Sequence, residues 1–157
     1  YTGLRIGVSA AKGICFPLNI PLIALDTMHI LARKIECSEG YIVPAIDARR
    51  DEIYFAMFQS TNCKIPELKV KTDTMILSSN SFSNYYETST VNFVGDCNKK
   101  IMQYLNHENI FFSDYILPSA NEMGVLSHSK YVKEQFVDVA EFQPKYLKEF
   151  GGKKINN

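Results

Sequence analysis

The chain has 157 residues, of which 46% are hydrophobic and 12% aromatic, enough apolar material for one ordinary domain or two small lobes with a packed core. Seventeen Lys and Arg balance seventeen Asp and Glu, so no overall field draws in nucleic acid or an anionic membrane, and any RNA contact has to be local. Four cysteines without a CxxC pair, three histidines without metal-type spacing, and no apolar run of roughly 18 residues predict reduced thiols, a cytoplasmic protein, no structural metal and no membrane span.

The first element, "TGLRIGVSAAKGIC", projects as a helix from Thr2 to Cys15. Leu4, Val8, Ala11 and Cys15 form one stripe, Ile6, Gly7, Ala10 and Ile14 widen the apolar arc, and Arg5, Ser9 and Lys12 form the polar stripe. Glycine is poor inside helices, so Gly7 and Gly13 need another reason, and small residues at Gly3, Gly7, Ala10 and Ala11 would let a second helix approach closely. An arc this wide predicts burial on two sides, against the home sheet and against something else. Burial wholly within the home domain is the alternative.

Next come Pro17 and Pro21 around a turn, a short run "LIALD" (22–26) suited to a strand covered on both faces, and a helix through "MHILARKIE" capped by Asp26 or Thr27. "YIVPAID" and "EIYFAMF" read as a hairpin across the polar turn "ARRD". "CKIPELKVKTDTMILS" has weaker strand character, and "NSFSNYYET" is ambiguous between helix and loop. "VNFVGD" and "NIFFSDY" read as strands, "NKKIMQYL" as a short helix between them. Ser119 with Glu122 three residues on predicts a capping-box helix, and "GGKKINN" a frayed tail. The alternation predicts an α/β fold.

Catalytic signals are weak. Cys15 lies on the apolar stripe and Cys37, Cys63 and Cys97 in unrelated settings, so each reads as structural or incidental. His29 is a lone histidine on a helix, His107 and His128 lie in polar stretches, and "VGDCNKK" has one glycine where a phosphate cradle wants several. "DARRDE" (47–52) is the densest charge cluster: Arg49 and Arg50 could contact RNA phosphate or an acidic partner, or form a solvated turn whose charges pair with one another.

Taken together, "YTGLRIGVSAAKGICFPLNIPLIALDT", "IVPAIDARRDEIYFAMF", "VGD", "PSANEMG" and "FQPKYLKEF" resemble, in order, the TsaB (YeaZ) family of bacterial tRNA threonylcarbamoyladenosine synthesis. The resemblance implies the two-lobed actin-like ATPase, ribonuclease H-like fold. It also implies that Tyr1 ends a glycine-rich turn preceded by about a third of the protein, leaving the first lobe incomplete. Residues 1–40 would be the remnant of that lobe, 41–143 the second lobe and 144–157 a C-terminal segment. It implies a noncatalytic scaffold without cofactor or metal that dimerises with the catalytic TsaD-like subunit, is joined by a TsaE-like ATPase, and meets tRNA through the complex. The partner surface would comprise Gly3, Arg5, Ile6, Gly7, Ser9, Ala10 and Lys12. A homodimer in isolation is a further expectation. A peptidase or a self-sufficient ATP-dependent transferase is the competing reading.

Overall fold

The computed structural model describes residues 2–60, 65–114 and 117–147. They divide into two compact units, one drawn from the chain up to Ile23 and from Phe136 onward, the other spanning Ala24–Gln135.

In the first unit, α1 runs over Thr2–Leu18, one turn further than its apolar period predicts. Pro17 in the last turn removes one backbone donor, and the stop comes at Asn19, which takes a left-handed φ of 51°. The Asn19 and Ile20 N–H groups donate back to the carbonyls of Phe16 (3.3 Å) and Cys15 (3.1 Å), closing the helix as a Schellman motif. The "LIALD" run is not a strand. Leu22 makes an isolated antiparallel bridge to Val137, and residues 22–25 are half-buried rather than covered on both faces. Among the described residues no neighbouring strand lies beside this run, so its apolar character finds no ladder to join.

The second unit is built on a five-stranded mixed sheet of order β3-β2-β1-β4-β5. Its strands are β1 (Tyr41–Asp47), β2 (Glu52–Gln59), β3 (Glu67–Ile76), β4 (Val91–Gly95) and β5 (Ile110–Phe112). β1, β2 and β3 pair antiparallel in sequence, whereas β4 and β5 add in parallel on the far side of β1. The predicted hairpin, both later strands and the α/β class are thus present. Strand periodicity sorts side chains between two cores. Val43, Ala45, Ile53, Phe55, Met57, Val91 and Phe93 face one layer with Leu77, Phe82, Ile101 and Leu105. Ile42, Ala56, Phe58 and Val94 face the other with Met28, Leu31 and Ala32.

The helices of this unit are short except the last: α2 (Thr27–Ala32), α3 (Ser83–Tyr86), α4 (Asn98–Ile101) and α5 (Ala120–Val132). Asp26 caps α2 as its sequence suggests, accepting from the Met28 N–H at 2.8 Å. Ser119 is the N-cap of α5 without making the expected bond to backbone: its hydroxyl donates to the Glu122 carboxylate, which also pairs with Lys34 at 3.3 Å. That carboxylate is held down to about 2, first by the serine hydroxyl. The ambiguous segment 80–88 contains α3, entered through a left-handed Phe82 whose ring is buried edge-on between Phe55 and Phe93. Gly95 ends β4 with φ 136°, and a Cβ there would lie 1.9 Å from the Ala45 carbonyl oxygen, so β1 and β4 can pair this closely only around glycine.

Candidate docking helix and arginine turn

Among the described residues, helix α1 is covered along one flank only. Cys15 is buried and Val8, Ala11 and Lys12 are half-buried, whereas Ile6 is 64% exposed, Ile14 57% and Phe16 76%. The covering material is the segment following Phe136. Lys12 Nζ donates to the carbonyls of Ala140 (2.7 Å) and Phe142 (3.1 Å). Arg5 Nε donates to the Tyr146 hydroxyl at 3.1 Å, with the guanidinium 5.5 Å from the ring centroid. The polar stripe, expected from the resemblance to belong to the partner surface, thus uses its two long cations as anchors to the segment after Phe136.

On the opposite flank Gly3, Gly7, Ala10 and Ile14 lie within about 40° of one meridian, at 100° per residue, bordered by Ile6 and Leu18. A Cβ on Gly3, Gly7 or Gly13 would meet nothing within 4 Å. No contact made by the described residues explains these glycines, and the flank they form is apolar and flat. Of the residues named from sequence as partner-binding, Gly3, Arg5, Ile6, Gly7, Ser9 and Ala10 are exposed and Lys12 is half-buried. Tyr146, the residue that fixes Arg5, was named only within the block "FQPKYLKEF"; neither charge nor periodicity marks it.

The second site is the β1–β2 turn, within the other unit. Arg49 and Arg50 both adopt positive φ, 70° and 50°. The conformation is held from several sides. Asp47 accepts from the Arg49 N–H at 2.8 Å and from Lys100 Nζ, which also donates to the Glu52 carbonyl at 3.2 Å. Asp96 accepts from the Asp47 N–H at 2.9 Å, and the Asp51 carbonyl accepts from the Leu77 N–H at 2.8 Å. Tyr104 donates its hydroxyl to the Asp51 carboxylate at 2.7 Å. The Lys100 bond holds the Asp47 carboxyl below the usual range, and the bond to Asp51 pushes the Tyr104 hydroxyl up. Lysine and tyrosine make the direct bonds to the carboxylates of this turn, and the Arg49 charge adds to the field that holds Asp47 down. Among the described residues no hydrogen bond or ion pair reaches either guanidinium.

The nucleophile and base candidates sit in settings of a different kind. Cys15 and Cys97 are buried, and burial pushes the Cys97 thiol up to about 12, away from a thiolate. His29 packs on Phe58 with ring centroids 4.8 Å apart, and desolvation lowers its pKa. Cys63 lies outside the described residues. Among the described residues no three His, Cys, Asp or Glu side chains converge as a metal site, and no helix is long and apolar enough to cross a membrane.

Comparison with known proteins supplies the family. The family described as "TsaD: tRNA N6-adenosine threonylcarbamoyltransferase" matches residues 1–153. A tRNA threonylcarbamoyladenosine biosynthesis protein TsaB of Haemophilus influenzae is 25% identical over 94% of this chain and 65% of its own length. The TsaB of Bacillus subtilis is 40% identical over 62 residues, 40% of this chain and 27% of that protein. The chain thus spans less than two thirds of the curated relatives it matches. The solved structure of YeaZ from Pseudomonas aeruginosa superimposes with a TM-score of 0.77 at 21% identity, covering 94% of this chain and 68% of that one, and shares the fold. This chain belongs to the TsaD (tRNA N6-adenosine threonylcarbamoyltransferase) family, aligns there with the TsaB/YeaZ proteins, and has the family's actin-like, ribonuclease H-like α/β fold.

Proposed function

We propose that this chain acts in tRNA threonylcarbamoyladenosine synthesis as a noncatalytic subunit that docks the catalytic TsaD-type protein through the open flank of α1. The observation that carries this reading is the row Gly3, Gly7, Ala10 and Ile14, apolar, exposed and, at its glycines, free of any neighbour within 4 Å. Small residues on one meridian bring two helix backbones close together, and such contacts combine buried apolar area with tight packing. A scaffolding rather than chemical role is supported by the two buried thiols and by a histidine held against an aromatic ring. A TsaE-type ATPase completes the assembly, tRNA is met through the complex, and a second copy of this chain takes the α1 flank when the TsaD-type subunit is missing.

Calorimetric titration with the TsaD-type subunit tests this. Gly7→Asp or Ala10→Asp places a charge in the contact at positions whose side chains are free of the protein's own core, so the fold is kept and affinity drops at least tenfold. Unchanged affinity in both variants overturns the docking role of α1.

A further inference from the structure

The structure assigns a ligand site to the second unit: a cleft between the end of α2 and the start of α5 that takes a small organic carboxylate, with Arg33 as its counter-ion. The site does not depend on the α1 docking reading. The cleft has a volume of about 630 Å³, within the range of small-molecule sites, and its walls include Arg33, Ile35, Glu36, Asn121, Glu122 and Val125.

The deciding group is Arg33. Its side chain is half-buried, its Nε is shut off from solvent, and among the described residues nothing accepts a hydrogen bond from that atom. A buried donor without an acceptor is costly, and a guanidinium cannot escape the cost by losing its proton. The other charges of the cleft are placed differently. Lys34 pairs with Glu122 at 3.3 Å, and Glu122 also accepts from the Ser119 hydroxyl and, at 3.4 Å, from the Asn121 amide. Glu36 is exposed to water, and among the described residues no ion pair joins it to Arg33. What Arg33 calls for is therefore an acceptor that carries negative charge.

The walls choose the class of anion. A guanidinium fork presents parallel N–H groups that fit a carboxylate with two bonds. Glu36 and Glu122 line the same cleft, so the second negative charge of a phosphate dianion is repelled there, where a carboxylate brings only one. Asn121 and Glu122 lie in the first turn of α5, whose N-cap Ser119 makes no bond to the backbone, so the positive end of that helix adds its field to that of Arg33. Ile35 and Val125 supply apolar wall, and the volume far exceeds that of a carboxyl group, so the ligand has an apolar body behind its acid group.

The test titrates the full-length protein with benzoate, with its uncharged isostere benzamide and with inorganic phosphate, following the Arg33 Nε–H and the backbone amides of Ile35, Asn121 and Val125 by NMR. Benzoate shifts these signals saturably, and benzamide and phosphate bind at least tenfold more weakly. Arg33→Gln weakens benzoate binding at least tenfold and Arg33→Lys weakens it less. Unliganded Arg33→Gln melts no lower than wild type, because it has lost an unpaired buried cation rather than a structural bond. Glu36→Gln narrows the gap between benzoate and phosphate. Benzamide or phosphate binding as tightly as benzoate overturns the carboxylate site, and so does benzoate affinity within twofold of wild type in both Arg33 variants. Signals that stay unmoved by benzoate in the wild type, with a lowered melting temperature in Arg33→Gln, make Arg33 a purely structural cation and overturn it as well.

Discussion

The glycines of α1 offer a test in which stability and binding move in opposite directions. Gly7 and Gly13 lie well inside a 17-residue helix, where each costs about 1 kcal/mol relative to alanine. A methyl at either position meets nothing within 4 Å, so no steric term offsets the gain. Gly7→Ala with Gly13→Ala should therefore stabilise α1 by about 2 kcal/mol, close to a 30-fold drop in local opening. Amide hydrogen exchange along α1 reads that directly, and circular dichroism follows the accompanying rise in the melting temperature. At a close helix contact, by contrast, each added methyl overpacks the interface at about 1–3 kcal/mol, so affinity for a TsaD-type subunit falls between fivefold and a hundredfold for each glycine in contact. Two results would refute the reasoning. Slower exchange with unaltered affinity means the glycines are not where the partner sits. Faster exchange means another part of the protein already covers that flank.

Two further outcomes follow from the second unit. Gly95→Ala forces a Cβ to within 1.9 Å of the Ala45 carbonyl at φ 136°, and the combined clash and backbone strain should cost about 3–5 kcal/mol, seen as a lowered urea midpoint; a change under 1 kcal/mol would show that β1 and β4 are not paired as described. The Glu122 carboxyl is depressed from 4.5 to about 2, so its stabilising contribution is complete above pH 4.5 and disappears as pH falls towards 2. Glu122→Gln should accordingly flatten the loss of stability between pH 5 and pH 3, and an unchanged slope in the urea midpoints would remove the Ser119–Glu122–Lys34 cluster as its cause.

How far the fold was legible depended on the range of the interactions that fix each part. β1 and β2 were plain because alternation in "YIVPAID" and "EIYFAMF" is a local property, and the polar run between them leaves only a turn. The order β3-β2-β1-β4-β5 is set by which apolar faces meet, which no local periodicity reports. "LIALD" misled because a short apolar run has the same composition whether it joins a ladder or crosses from one unit to the next. At Ser119 the residues of a capping box are present at the right spacing, yet Lys34 draws Glu122 into an ion pair and the serine donates to that carboxylate instead. The arginine turn was visible as charge, but its state depends on Lys100 and Tyr104, each 53 residues from the aspartate it engages.

The same reasoning explains why α1 could be read as doubly covered but not assigned its flanks. A helical wheel reports the width of the apolar arc and nothing about what covers it; which part meets the home chain is settled by Ala140, Phe142 and Tyr146, some 130 to 140 residues further on. These contacts select the cationic side, because Lys12 finds two carbonyls there and Arg5 finds a hydroxyl on an aromatic ring. Spending the long cations inside the unit has a consequence for the opposite side. It leaves Gly3, Gly7, Ala10 and Ile14 on a flank without a charged side chain, bordered by Ile6 and Leu18. An approaching helix would then have no ion to desolvate and no long side chain to order, two of the main costs of association. The residues that appear on sequence to advertise α1, Arg5 and Lys12, thus act by withdrawal: Arg5→Ala and Lys12→Ala should loosen the segment after Phe136, read as faster exchange there, while affecting affinity for a TsaD-type subunit less than Gly7→Asp does. The reverse order of effects would mean that the cations, and not the small-residue row, form the contact.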